Sequence, residues 1–282
     1  MIRKEVIFAL SLLLCAPVAG QKKEAPAARP LPSYRVEAEG FKSAEQDIKA
    51  VCDSVAVELW RHLKTSKLEP FVVKRGRNGP FFSFIKNSRG ELEILLDTGE
   101  TYWAQYSYQF SHEFLHLLCG SRQRGPQNLW FEETLGETAS LFSMRAMARS
   151  WKTKPPYPHW ADYRDHLRQY ADNVILRRGR VSEIHKEGLA SFYRKHSKEL
   201  EKNCCDRDLN GAMALILLRL FEEKPERWDA VRWLNSSPPA GGDTFQQYLR
   251  KWRDAVPMRH KAFVKKIAGL YGVNIGLSLI HI

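Results

Sequence analysis

The sequence predicts an α+β fold that is mostly helical, with a small antiparallel sheet and a helix carrying the motif His-Glu-x-x-His, followed by a helical subdomain. Two observations lead to this prediction. Residues of high strand propensity, interrupted by a turn, are confined to residues 71–96. Apolar residues at helical spacing occupy residues 48–63 and nearly all of the chain after Trp103.

The first helix and the sheet precede the motif. Residues 43–46 (Ser-Ala-Glu-Gln) have the pattern of a capping box, and apolar residues continue from it at helical spacing to about Leu63. The turn at residues 87–90 (Asn-Ser-Arg-Gly) follows two segments with strand patterns and precedes a third. The three predicted strands are residues 71–73, 81–85 and 91–96.

The motif is His112-Glu113-Phe114-Leu115-His116, within residues 102–118, which contain no Gly or Pro and predict one continuous helix. Histidines at i and i+4 project from the same helical face, so both rings can reach one metal ion. Glu113 would lie beside that ion, where a carboxylate can take a proton from a bound water. Apolar neighbours predict that the motif helix is buried, and buried histidines need partners. We therefore expect a zinc site rather than a chance pair of surface histidines.

The third ligand is expected on a second amphipathic helix, which begins near Leu129 after the turn-rich residues 120–128. Metzincins would require a histidine where this chain has Arg122, so that family is excluded. The segment Trp-Phe-Glu-Glu-Thr-Leu-Gly-Glu at residues 130–137 resembles the gluzincin metallopeptidases, the superfamily of thermolysin and the aminopeptidase N-like enzymes. This resemblance covers residues 108–141, and it implies that Glu133 is the third zinc ligand and that Glu137 orients His112.

Physical reasoning about the second helix leads to the same assignment. A metal-bound imidazole usually donates its other N–H to a carboxylate, and Glu133 and Glu137 lie on one helical face. Glu132 is turned by about 100° from Glu133, so both cannot bind the ion equally well. We expect Glu132 to be a solvated acid near the helix start, where the helix dipole favours it.

The resemblance implies a peptidase in which a hydrogen-bond donor stabilises the oxyanion. At the position of the tyrosine in aminopeptidase N-like enzymes this chain has Asp208, which cannot donate when it is ionised. Tyr193 and His196 are the nearest candidates by sequence distance, and Arg207 and Asn210 are further alternatives. The uncertain donor leaves an alternative function open: a zinc-binding envelope protein without catalysis, whose peptidase-like cleft binds peptide or polymer.

Two further expectations concern how a peptide or protein substrate is bound. In gluzincins an edge strand lines the cleft and pairs with the substrate backbone, and residues 91–97 are the candidate for it here, or else an ordinary strand without substrate contact. The Gly-x-Met-Glu-Asn segment by which aminopeptidase N-like enzymes capture a free amino terminus is missing before the motif. An endopeptidase is therefore favoured.

The beginning of the chain predicts export. Arg3 and Lys4 precede a short apolar run and then small residues before Gln21, which is the pattern of a signal peptide over residues 1–20. No other apolar stretch predicts a transmembrane segment in the mature chain. The predicted organisation continues with an extended leader (21–40), an α/β subdomain carrying the motif (41–125), a helical subdomain carrying the glutamate ligand (126–276) and an unassigned tail (277–282).

Charge and cysteine content limit the partners further. The formal net charge is +12, but Lys and Arg are dispersed, which argues against a nucleic-acid-binding protein. Such a basic surface suits anionic envelope polymers or acidic substrates, or is simply a generally basic soluble surface. Beyond the signal peptide the cysteines are Cys52, Cys119, Cys204 and Cys205. We expect at most one disulfide, from Cys119 to one of the adjacent pair, with free buried thiols as the alternative.

Overall fold

A computed structural model describes residues 30–65, 67–120, 126–237 and 242–276. The predicted signal peptide, the first part of the leader and the tail at 277–282 lie outside these residues. The rest of the leader is not merely an extended tether. Arg35–Val36 forms a strand, and Tyr34 and Val36 are buried in the core, so this part of the leader belongs to the fold.

The described residues form ten α-helices and four strands, which confirms the mostly helical α+β prediction. The strands are β1 (Arg35–Val36), β2 (Phe71–Arg75), β3 (Phe81–Ser83) and β4 (Leu92–Leu96). The helices are α1 (Glu45–Trp60), α2 (Trp103–Leu118), α3 (Leu129–Ser150), α4 (Tyr163–Arg177), α5 (Val181–Glu187), α6 (Leu189–Lys202), α7 (Arg207–Glu223), α8 (Trp228–Val231), α9 (Phe245–Ala255) and α10 (Met258–Leu270).

The small sheet is mixed rather than antiparallel. Its strand order is β1-β2-β4-β3, and only the β3–β4 pair is antiparallel. The local turn at residues 87–90 explains that pairing, because a short connection returns the chain antiparallel to the preceding strand. The parallel pairs β1–β2 and β2–β4 join segments separated by α1 or by β3, and such non-local pairings leave no local sequence signal.

The strand that lines the cleft differs from the predicted one. Residues 91–97 contain β4, which pairs with β2 on one side and β3 on the other, so its backbone has no free edge. The edges of the described sheet are β1 and β3, and at β3 Phe82 is buried and Phe81 is 53% exposed. One side of β3 is therefore left without a partner strand among the described residues.

The first helix begins without the predicted capping box. Ala44 is the N-cap residue of α1, in an extended conformation, and no side chain caps the helix there. Ser43 lies one residue too early, because a capping hydroxyl must belong to the N-cap residue itself. A complete capping box is present elsewhere, between Thr244 and Gln247 at the start of α9.

One hydrophobic core joins the two predicted subdomains. The motif helix α2 packs against α1, the sheet and α3, and α3 also packs against α4 and α7. Aromatic side chains fill the space around α2, with Phe110 stacked on Phe114 at 5.3 Å and Tyr34 stacked on Phe71 at 4.5 Å. This packing fixes α2 and α3 relative to each other. None of the described helices has the length and apolar character needed to cross a bilayer.

Cys52, Cys119, Cys204 and Cys205, the cysteines within the described residues, are free thiols, so the expected disulfide from Cys119 is not formed among them. Cys119 is buried, and its Sγ atom contacts the carboxylate of Glu132 at 3.5 Å. Cys204 and Cys205 lie beside each other with their sulfur atoms 3.4 Å apart. The Cys119 sulfur thus contacts polar side chains, Glu132 and Asn235, in the core beside the motif helix.

Candidate metal centre

The structure brings together the two motif histidines of α2 and one glutamate of α3. His112 Nε2 lies 3.1 Å from Glu133 Oε2, and His116 Nε2 lies 3.3 Å from Glu133 Oε1. All three ligand atoms lie within 4.8 Å of one another. In a tetrahedral zinc site with bonds of about 2.0–2.1 Å, ligand atoms are about 3.4 Å apart. The two distances from a histidine to Glu133 are therefore already close to those between zinc ligands.

The chemistry of this donor set fits zinc. Two imidazoles and one carboxylate leave a fourth position for water or substrate, as in catalytic zinc sites. Burial would raise the pKa of Glu133, but its hydrogen bonds to His112 and His116 outweigh burial and hold that pKa well below its usual range. Glu133 is therefore an anion between two nitrogen ligands, which is the charge state that a divalent cation requires.

A second set of possible ligands is His116, Cys119 and Glu132. All three are buried, whereas His112 and Glu133 retain 13% and 16% of their side-chain exposure. The first set thus has an open side toward the cleft, and the second does not. A metal ion that reacts with a substrate needs the open set.

Glu113 lies at the site that the motif predicts for a base. It is 5% exposed and lines the cleft beside both histidines. Burial raises its pKa, against the attraction of His112 and His116 and a hydrogen bond from the backbone N–H of Phe82. The edge strand β3 therefore holds Glu113 through its backbone, and burial makes this carboxylate a stronger proton acceptor.

Glu132 is not the solvated acid that the sequence predicts. It is 2% exposed, and its Oε2 atom lies 3.5 Å from His116 Nδ1. Its Oε1 atom accepts a hydrogen bond of 3.0 Å from Asn235 Nδ2. The turn of about 100° between successive helical residues places Glu133 at Nε2 of His116 and Glu132 at Nδ1 of the same ring. Glu132 therefore favours the tautomer with hydrogen on Nδ1 and a lone pair on Nε2 for a metal.

Glu137 does not face His112 as predicted. Its Oε2 atom accepts hydrogen bonds from the hydroxyl of Tyr108 and from Arg178 Nη2, the latter at 2.8 Å. The ring of His112 instead lies against Gly136, where an added Cβ would be only 2.7 Å from His112 Cε1. Glu137 is the next residue after Gly136, and its carboxylate pairs with the guanidinium of Arg178, which lines the cleft.

A cleft of about 650 Å³ opens above these residues. The helices α2 and α3 form its floor with the three ligands and Glu113. One wall is formed at the edge strand by Pro80, Phe81, Phe82 and Phe84. A second wall is formed by α4, α7 and the residues that flank them, and it includes Tyr170, Val174, Arg177, Arg178, Arg207 and Asn210. One wall is therefore mainly apolar, and the other is basic.

Tyr193 and His196 are not among the residues that line the cleft, so the structure does not bring these two predicted donors to the motif residues. The ring of Tyr193 stacks on Trp130 at 5.3 Å within an aromatic cluster, and burial raises its pKa to about 12. His196 is buried, with Nδ1 3.1 Å from Glu199 and Nε2 3.4 Å from Arg180. Sequence distance alone does not show which way α6 turns these residues, and packing turns them away.

Other donors reach the cleft. Arg207 and Asn210, the sequence alternatives, both line it. Arg178 is not among the candidates that the sequence suggests. One feature of the sequence does mark its position: Gly211 has no side chain, and an added Cβ there would meet the Arg178 side chain. A glycine inside a helix destabilises it, so Gly136 and Gly211 were available signals of a close approach. Asp208 is 73% exposed and does not line the cleft, but lies 3.9 Å from Arg178 Nη1.

Comparisons of the chain with known proteins add no relative. No family model, curated protein or solved structure matches it.

Proposed function

We propose that this protein is an exported zinc-dependent peptidase, a divergent member of the gluzincin type, with endopeptidase activity favoured. The observation that carries this proposal is the convergence of His112, His116 and Glu133 from two packed helices, with buried Glu113 beside them at the floor of an open cleft. Zinc hydrolases require this combination of three protein ligands, an open position and a base.

The residues would divide the reaction between them. His112, His116 and Glu133 would hold zinc, which when bound polarises a carbonyl and acidifies water. Glu113 would accept a proton from the attacking water at its carboxylate and then give it to the departing amine. Its raised pKa supports this role, because a more basic carboxylate takes the proton more readily near neutral pH.

The edge strand supports a peptide as the substrate. One side of β3 pairs with β4. On its other side the Phe82 N–H already donates to Glu113, and the remaining backbone groups can pair with an extended chain. Phe81 on this strand and Phe84 just after it line the cleft and would contact apolar side chains. Strand addition would place a scissile carbonyl over the floor of the cleft, where Glu113 lies.

Arg178 is the best-placed donor for the developing oxyanion. Its guanidinium lines the cleft, and its pairing with Glu137 fixes it in place. Asn210 is less suited, because its Nδ2 atom already donates to the Cys204 carbonyl at 2.7 Å. A fixed cation that faces the reacting carbonyl stabilises the charge that forms there.

The test joins a zinc assay to peptide cleavage. The zinc-loaded protein should cleave members of a broad peptide library, and Glu113→Gln should retain zinc while losing nearly all cleavage. Glu201→Gln, at an exposed position on α6, is the matched control and should cleave normally. Cleavage by Glu113→Gln at the unaltered rate would exclude this base. Zinc and peptide binding without cleavage would support the alternative, a non-catalytic zinc-binding envelope protein.

A further inference from the structure

Two arginines on the basic wall of the cleft have no carboxylate partner within the described residues. Arg177 is the last residue of α4, and Arg207 is the first residue of α7. Both are exposed and both line the cleft. Cations in a concave surface raise the local concentration of anions more strongly than the same charges on a flat surface.

Tyr170 lines the same wall of the cleft as the two arginines. Burial raises the pKa of Tyr170; the charges of Arg177 and Arg207 oppose that effect, and the charge of Glu137 adds to it. Both guanidinium groups are therefore within electrostatic range of the Tyr170 hydroxyl. A tyrosine hydroxyl on this wall adds a neutral donor to two charged ones.

The other charges of the cleft are compensated or lie elsewhere. Arg178 is paired with Glu137, and Asp243 is paired with Lys251 at 2.6 Å. The remaining acids that line the cleft, Glu113, Glu132 and Glu133, lie at the metal site. The excess positive charge is thus on the wall formed by α4 and α7, where the solvent-exposed Asp208 lies 3.9 Å from Arg178 Nη1.

We propose that Arg177, Arg207 and Tyr170 form a subsite for a carboxylate of the peptide substrate. Arginine binds carboxylates with two parallel hydrogen bonds, and two arginines beside a hydroxyl would surround one carboxylate with donors. An acidic side chain and a free C-terminus both supply this group. The identity of the ligand as a peptide rests on the proposed function, whereas the subsite is defined by its charges and its position.

Binding, rather than cleavage, tests the subsite separately from the proposed function. The first probes are fluorescein-labelled alanine hexapeptide amides in which Glu takes each position in turn, each with a matched peptide that carries Gln instead. The last pair is one labelled all-alanine peptide, made as the free acid and as the amide. Their anisotropy is measured with zinc-loaded Glu113→Gln protein. At least one carboxylate peptide should bind roughly tenfold more tightly than its neutral partner, because hydrogen bonds between charged groups are the stronger ones. The Glu series and the free acid distinguish the two sources of the carboxylate.

Variants assign the preference to the two arginines. The double variant Arg177→Gln/Arg207→Gln should lose the carboxylate preference while its zinc content and its affinity for neutral peptides stay unchanged. Arg219→Gln is the matched control, because Arg219 is exposed on α7 and does not line the cleft. The subsite would be overturned if acid and neutral probes bound equally well or if no probe bound. It would also be overturned if the carboxylate preference survived in the double variant or was lost equally in Arg219→Gln. A preference without any cleavage would leave the subsite standing and remove the peptidase.

Discussion

Glu132 faces Nδ1 of His116 at 3.5 Å, on the opposite side of the ring from Glu133, which lies 3.3 Å from Nε2. Adjacent residues of α3 therefore contact the two nitrogens of one imidazole. A carboxylate at Nδ1 fixes the ring orientation and makes Nε2 a better ligand. The family resemblance implies that Glu137 orients His112. In the structure the carboxylate placed to orient a histidine is Glu132, and the histidine is His116.

The first prediction separates these two glutamates. Glu132→Gln should weaken zinc binding roughly 10–100-fold, because it removes the charge that faces His116. Glu137→Gln should change zinc affinity much less, because Glu137 pairs with Arg178 and Tyr108 instead. Competition with a chelator measures both affinities. A larger loss in Glu137→Gln than in Glu132→Gln would show that the orienting carboxylate is misassigned.

The second prediction concerns the three ligands. His116→Ala should abolish stoichiometric zinc, because only one nitrogen ligand and Glu133 would remain. His185→Ala is the control, since His185 is exposed at the end of α5 and outside the site. Elemental analysis of the purified proteins gives the zinc content. Equal zinc content in His116→Ala and the unaltered protein would mean that the ion is held elsewhere.

The third prediction tests the close contact between α3 and His112. In Gly136→Ala the new methyl group would lie 2.7 Å from His112 Cε1, so the ring must move and zinc affinity should fall at least tenfold. Gly269→Ala is the matched control inside α10, where an added Cβ meets nothing within 4 Å. That variant should be unchanged or more stable by about 0.5–1 kcal/mol. If the two variants bind zinc alike, the ring does not depend on Gly136.

The meeting of His112 and His116 on one helical face could be predicted because it depends on local geometry. The spacing of His112 and His116 on one helix places both rings on one face whatever the tertiary structure. The role of Glu132 could not be predicted in that way. Its surroundings come from Asn235, which lies 103 residues later in the chain, and an acid in the first turn of a helix is usually solvated.

The sheet and the donors illustrate the same limit. The antiparallel pairing of β3 and β4 follows from a local turn, whereas β2 and β4 become parallel neighbours only through non-local packing. Sequence distance favours Tyr193 and His196, but the packing of α6 decides their direction. Arg178 comes from the C-terminal end of α4, and only tertiary structure brings it to Glu137.

The fourth prediction assigns the oxyanion donor. Arg178→Gln/Glu137→Gln should retain zinc and lower kcat by roughly 10²–10³-fold, the usual effect of removing one such donor. The double substitution is chosen because Arg178→Gln alone would leave Glu137 as an unpaired buried charge. Tyr193→Phe should keep its activity, because Tyr193 packs outside the cleft. Loss of activity in Tyr193→Phe with normal activity in the double variant would reverse the assignment.

The last prediction concerns stability and pH at a buried acid far from the motif in sequence. Asp229 is 1% exposed. It accepts hydrogen bonds from the Lys64 backbone N–H and from Arg259 Nη2, each at 2.6 Å. It also contacts His260 Nε2 at 2.9 Å. Burial would raise its pKa, but these contacts and Arg232 outweigh burial and lower the pKa to about 2. Asp229, a residue of α8, therefore joins the segment that follows α1 to α10 as an anion.

Because the folded pKa lies below the unfolded value of about 3.9, the charge stabilises the fold above about pH 4 and this contribution is lost as pH falls toward 2. Asp229→Asn should therefore lower the free energy of unfolding by about 2 kcal/mol at pH 7, and the difference should narrow between about pH 4 and pH 2. Denaturant unfolding at pH 7, 4 and 3 measures it. Asp172→Asn, at an exposed position of α4, should show no such difference. A deficit in Asp229→Asn that stays constant from pH 7 to pH 3 would mean that packing or hydrogen-bond geometry, and not the charge of Asp229, stabilises this junction.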